Sequence, residues 1–174
     1  MDNDYPEYEI DLYAVLVKPL YLGMLINLFI PLAIVGIAYY IEQQGSFGTP
    51  LQAESFDILF WVLLAVALLD GVMAIFLKQK MFFAPMIKSR SSFEEDFKAG
   101  VFRASLICYG LTSAISIYGL VVYLAAGTFQ QLLLFVFISF IAFQLIRPRI
   151  GFLKKVLAAQ REHSERVRNI GNQN

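Results

Sequence analysis

Four long apolar runs, set apart by short polar stretches, dominate the hydrophobic pattern of this chain. They cover residues 20–41, 56–77, 100–125 and 129–146. Each approaches the ~20 residues that a helix needs to cross the hydrocarbon of a bilayer. None shows the polar/apolar alternation of a membrane-barrel strand. The fourth run is slightly short, and its helix is expected to continue through Pro148 into the tail, with tilt taking up the mismatch. The pattern predicts an all-α chain, a polytopic membrane four-helix bundle.

The polar positions divide the rest of the chain. All fourteen Lys and Arg residues fall in three places. Lys18 precedes the first run. Lys78, Lys80, Lys88, Arg90, Lys98 and Arg103 surround the connection from the second to the third. Arg147, Arg149, Lys154, Lys155, Arg161, Arg166 and Arg168 follow the fourth. Residues 42–55 and 126–128 hold no base. Bases in short loops stay on the cytoplasmic side, so both termini are expected in the cytoplasm. Three parts result: a cytoplasmic N-terminal or interfacial segment (1–19), a transmembrane domain (20–146) and a basic cytoplasmic helical tail (147–174).

The opening residues Asp2, Asp4, Glu7 and Glu9 reverse the charge of a signal peptide, so the first helix is expected to remain in the mature protein. No lipidation box is expected either. Residues 10–17 could form a short interfacial helix closed by Lys18 and Pro19. Ser92 and Glu95 have the spacing of a capping box, which would start the third helix in the cytoplasm. In the tail, Ile150, Phe152, Leu153, Val156 and Leu157 are interspersed with bases, and Glu162 and Arg166 form an i,i+4 pair. Lys154, Lys155 and Arg161 are candidates for contact with anionic headgroups, at ~1 kcal/mol per nearby charge. The plainer expectation is a solvated tail, with His163 a surface residue.

Composition narrows the function classes. With 58% hydrophobic and 16% charged residues and a mean hydropathy of +0.61, a soluble domain could not hide its apolar surface. Acids and bases balance at fourteen each, so no basic excess points to nucleic acid. One Cys excludes an intrachain disulfide, and one His excludes a His-rich metal site. There is no phosphate-binding glycine loop, metal-ligand pair or nucleophile elbow. No catalytic residue, metal site or cofactor is expected. Cys108 lies within a spanning run, where desolvation makes a poor thiolate.

A repeat is visible in the apolar runs. Residues 33–41 resemble 116–124, matching at Ile34/Ile117, Gly36/Gly119 and Tyr40/Tyr123. Residues 77–83 likewise resemble 146–152, the longer first exterior connection with Gly45, Gly48 and Pro50 absorbing the difference in offset. Two hairpins that both run inward-to-outward and back would form a parallel repeat. A four-helix chain of two similar hairpins resembles the double-hairpin rotor-ring subunits of rotary ATPases. Residues 117–127 and 140–149 are also similar to small, uncharacterised bacterial tetraspan membrane proteins. The rotor resemblance implies an ion-carrying ring. The chain departs from it in two ways. The family's ion-binding carboxylate belongs in the last helix, where this chain has Ser139 and Gln144, and bacterial rotor hairpins keep their termini outside.

The candidate chemistry lies inside the membrane. A carboxylate at mid-depth costs about 2.5–3.5 kcal/mol on insertion scales and is a functional hypothesis by default. Asp70 falls about 5 Å to the cytoplasmic side of its helix midpoint, and Asn27 lies at a similar depth. Tyr109 and Thr112, with Ser139 and Gln144, can bracket that layer beside Cys108. Asp70 could carry a proton or cation, its pKa raised by desolvation, or simply fix helix register by bonding to Asn27 or Tyr109. Ser105, Tyr109, Thr112, Ser116 and Gly119 make one small-polar stripe, and Ala67 and Gly71 another beside Asp70. Such stripes are packing faces in membrane helices. Pro31 is expected to kink the first helix.

These features favour a non-enzymatic membrane protein of a bacterial inner membrane, multi-pass with both termini inside. It is expected to act as an accessory, assembly or interaction subunit, docking on other membrane subunits or on itself, with the lipid bilayer but no nucleic acid as partner. The alternative is proton or cation translocation through Asp70, in a rotor-like or channel-like oligomer.

Overall fold

The computed structural model describes residues 10–45, 52–86, 93–125 and 128–171, and these are helical apart from short connections. Helix α1 spans Leu12–Gln43, α2 Ala53–Phe83, α3 Phe93–Leu124, α4 Phe129–Ile146 and α5 Ile150–Gly171. The first four are long and apolar enough to cross a membrane. The architecture is that of an all-α membrane bundle. The acidic residues at 2–9, Gly48, Pro50, Lys88, Arg90 and the expected cap at Ser92 lie outside the described residues.

Local chemistry explains the helix limits. Asp11 Oδ1 accepts from the Tyr13 and Ala14 amides at 2.9 and 3.3 Å, capping α1. The expected interfacial helix at 10–17 is instead the first part of α1, which runs unbroken through Lys18 and Pro19. Before Pro31 the helix widens into a π segment, Leu25–Phe29. A proline ring crowds the carbonyl four residues earlier, here that of Asn27, and a wider turn relieves the clash. Gly45, at φ +82°, ends α1 in the left-handed conformation that glycine tolerates.

Helix α4 opens with a capping box. The Thr128 hydroxyl accepts from the Gln131 amide, and Gln131 Oε1 accepts from the Thr128 amide at 2.9 Å. It does not continue through Pro148 as expected. Arg147 turns extended, the conformation imposed on a residue before proline, and α5 starts afresh at Ile150. Ala84, before Pro85, ends α2 in the same way.

Contacts along the bundle set the directions. Gly23 lies against Tyr109 and Asn27 bonds to Thr112, so α1 and α3 run parallel. Cys108 Sγ approaches the Ala74 carbonyl at 3.8 Å while Tyr118 reaches back to Asp70, and Ser139 Oγ bonds the Thr112 carbonyl while Gly119 lies against Phe135, so α2 and α4 run opposite to α3. Helix α3 is the hub: half of its most apolar stretch is buried, against 11% for α2. Both α1 and α2 pack mainly on α3 and α4. Gly119 permits a close approach of α3 and α4, since a Cβ there would sit 2.7 Å from Phe135 Cβ.

Length differences create a second layer. The 32 residues of α1 and of α3 reach ~48 Å, beyond a ~30 Å hydrocarbon core, whereas the 18 of α4 reach only ~27 Å. Helix α5 fills the space below the short helix. Its Leu153, Val156 and Leu157 join Val15 of α1, Phe82 of α2 and Phe97 and Val101 of α3 in a buried cluster. The tail is therefore packed along one face rather than solvated all round.

Candidate functional site

Three helices meet in a chain of hydrogen bonds within the bundle. Asn27, on the π segment of α1, is buried; its Nδ2 donates to the Gly23 carbonyl at 3.1 Å and its Oδ1 accepts from Thr112 Oγ1 at 2.8 Å. Ser139 of α4 donates to the Thr112 carbonyl at 2.6 Å. The amide, the hydroxyls and the carbonyls are all neutral, and each bond ends on another bond or on backbone. This is a clamp across α1, α3 and α4 in which a polar side chain meets the donor or acceptor it lacks in hydrocarbon. Gln144 is half-buried and outside this chain of bonds.

Asp70 belongs to a different place. Its Oδ2 accepts from the Tyr118 hydroxyl at 2.8 Å. The register set by Cys108 and Ala74 puts Asp70 roughly level with Thr112, yet its partner lies six residues farther along α3, ~9 Å in rise. The Tyr118 side chain bridges that difference. The cluster expected around Asp70 thus separates into a neutral clamp and a carboxylate–phenol pair on the flank of α2. Neither Asn27 nor Tyr109 bonds Asp70. Tyr109 instead packs its ring on Phe143, 5.5 Å between centroids, and fills the space that a Cβ on Gly23 would need. The Ser105 and Tyr109 hydroxyls are buried with no hydrogen-bond partner among the described residues.

Of the small-residue positions, Ala67, Ser105, Ser116 and Gly119 are buried, and a Cβ on Gly71 would lie 3.9 Å from Ala142. Lys154 and Lys155 are exposed on the outer face of α5, and Arg161 is half-buried.

Two residues that the sequence pattern did not single out hold the end of the bundle next to α5. Lys78 Nζ lies 3.3 and 3.4 Å from the Leu145 and Arg147 carbonyls and 4.7 Å from the centroid of the Phe152 ring. A cation there complements the free carbonyls at the end of α4. Gln160, buried on α5, donates to the Ala84 carbonyl at 2.7 Å and to Phe82 at 3.4 Å, and accepts from the Met86 amide at 3.0 Å. It satisfies backbone groups on both sides of Pro85, where α2 ends. The signal for both was the same: a helix end beside a proline, whose free carbonyls require donors.

Among the described residues, no group of three or more His, Cys, Asp or Glu could hold a metal ion. A groove of about 420 Å³ runs between α1 and α4, lined by Asn27, Pro31 and Val35 on one side and Leu133, Val136 and Phe140 on the other. Its walls offer almost no polar group to orient a substrate. In comparisons with known proteins, no protein-family model, no curated protein and no solved structure matches the chain.

Proposed function

We propose that this protein is a non-enzymatic accessory, assembly or interaction subunit of a larger membrane complex or of a homo-oligomer. It resides in a bacterial inner membrane as two successive helix pairs with both termini in the cytoplasm. The reading is carried by helix α2. With 11% of its most apolar stretch buried, it is the least enclosed of the four long helices, and Trp61, Leu68, Leu69 and Val72 are exposed along it. The buried polar groups support the same reading, because Asn27, Thr112 and Ser139 bond to one another or to backbone and offer no free site.

The orientation follows from charge. The parallel and antiparallel directions gather Lys18, Lys78, Lys80, Lys98, Arg103, Arg147 and Arg149 at the end of the bundle that α5 covers, and this end is cytoplasmic by the positive-inside rule.

A second reading, proton or cation translocation through Asp70, draws on its partly exposed carboxyl midway along α2. One comparison separates the two. The protein purified in mild detergent should carry a discrete partner or a second copy, cross-linked from a photoreactive residue at Leu69, and Asp70→Asn vesicles should show the same ion permeability as wild type. Ion flux through the reconstituted wild-type protein, lost in a folded Asp70→Asn variant, would overturn the accessory reading, because an amide cannot cycle between charged and neutral forms.

A further inference from the structure

The outward surface of α2 is not uniform. Val62, Leu69, Met73 and Phe76 are 53, 67, 50 and 53% exposed. Their spacings of seven, four and three residues place them on one side of the helix, in the pattern by which two helices interlock. Asp70 stands at the edge of this stripe, partly exposed, between Leu69 and the buried line of Ala67 and Ala74.

The carboxyl is only half provided for. Tyr118 donates to Oδ2, which leaves Oδ1 without a partner among the described residues. A phenol fills one acceptor site but supplies no opposite charge. Ionisable groups at this depth pair with one another or face a protein interior, since lipid offers neither charge nor hydrogen bonds. Asp70 is the one carboxylate among the described residues in the middle of a spanning helix, and it sits on the helix least covered by the protein itself.

We infer that α2 docks laterally against a spanning helix of a different polypeptide, one that carries a Lys or Arg at mid-depth. That cation pairs with Asp70 at Oδ1, and apolar residues of the partner helix lie along Val62, Leu69, Met73 and Phe76. A second copy of this chain cannot supply the cation. The nearest base on α2, Lys78, is eight residues or ~12 Å farther along the axis and already engaged with the Leu145 and Arg147 carbonyls. The remaining bases of the spanning helices, Lys18, Lys80, Lys98 and Arg103, stand toward the same end. The inference rests on the accessory reading and specifies the chemistry of its partner.

The test uses the full chain in phosphatidylcholine vesicles, labelled at Ala158→Cys in a Cys108→Ala background. Two synthetic spanning peptides are added, both oligoleucine helices, one with a single central Lys and one with Leu there. Energy transfer should show the Lys peptide binding at least tenfold more tightly than the Leu peptide. Asp70→Asn should erase that difference and Asp70→Glu should keep it. A cysteine at Leu69 should cross-link to the Lys peptide, and one at the exposed Leu134 of α4 should not. Equal affinity for the two peptides would overturn the inference, as would a preference that survives in Asp70→Asn. So would self-association that Asp70→Asn abolishes without any Lys preference, which would assign the carboxyl to a contact between copies. None of these results requires ion flux, so failure here is distinct from failure of the accessory reading.

Discussion

At the scale of single residues, the neutral clamp has a calculable consequence. Thr112→Val keeps the shape of the side chain but leaves Asn27 Oδ1 buried without a donor. Hydrogen bonds between membrane helices contribute about 0.6–1.7 kcal/mol, and the expected destabilisation lies in that range, read as unfolding in mixed detergent micelles. Asn27→Leu added to Thr112→Val should restore part of the loss, because removing both partners leaves no orphaned group. A strictly additive double variant would show that the two side chains do not interact in the membrane. How far this site was legible depends on geometry. Depth is readable at about 1.5 Å per residue, and counting brought Asn27 and Asp70 to one layer. Rotation about the helix axis is not readable, so nothing in the sequence directed Asn27 to Thr112 and Asp70 to Tyr118. Gly23 was invisible for a related reason, as its role is to leave room for the Tyr109 ring of a helix far away in sequence.

At the scale of elements, continuous apolar runs and their length identified four helices long enough to span a membrane, because the demand for ~20 apolar residues is local and strong. What it missed was set by the ends. Apolarity fades where α1, α2 and α3 leave the hydrocarbon, yet the helices continue because α5 gives their ends something to pack on. The likeness between residues 33–41 and 116–124 does not extend to packing. A Cβ on Gly36 would meet nothing within 4 Å, whereas one on Gly119 would collide with Phe135. Amphipathicity along the tail was visible, but the surface that receives it is assembled from three other helices. Gln160 is the polar anchor of that docking. Gln160→Leu removes the donor to Ala84 and the acceptor of Met86, so α5 should open more often and trypsin should cut at Lys154 and Lys155 several-fold faster in detergent. Gln160→Glu keeps the acceptor but loses the donor and should fall between. An unchanged cleavage rate in Gln160→Leu would mean that the apolar face of α5 alone holds it.

At the scale of the whole molecule, charge is segregated along the axis of the bundle. Lys18 and Arg103 lie toward the N-terminal ends of the parallel helices α1 and α3, and Lys78 and Lys80 toward the C-terminal end of α2, so folding brings them together. Glu42, near the end of α1, and Glu54 and Asp57, at the start of α2, mark the opposite end, where the described residues include no base. Carrying the basic end across the membrane would move several cations through hydrocarbon, each at about 2.5–3.5 kcal/mol on insertion scales, so insertion should leave it in the cytoplasm. Cysteine labelling reads this orientation directly. Cys108 is 1% exposed and should not react with an impermeant maleimide, but Cys108→Ala removes any doubt about the background. In that background, Ser46→Cys, in the connection between α1 and α2, should be labelled in intact cells. Ser91→Cys, in the connection that follows α2, should be labelled only after the membrane is permeabilised. The reverse pattern would invert the bundle and place α5, with Lys154 and Lys155, on the outside. Labelling of both sites in intact cells would mean that the two connections do not lie on opposite sides of the membrane, and four crossings could not stand.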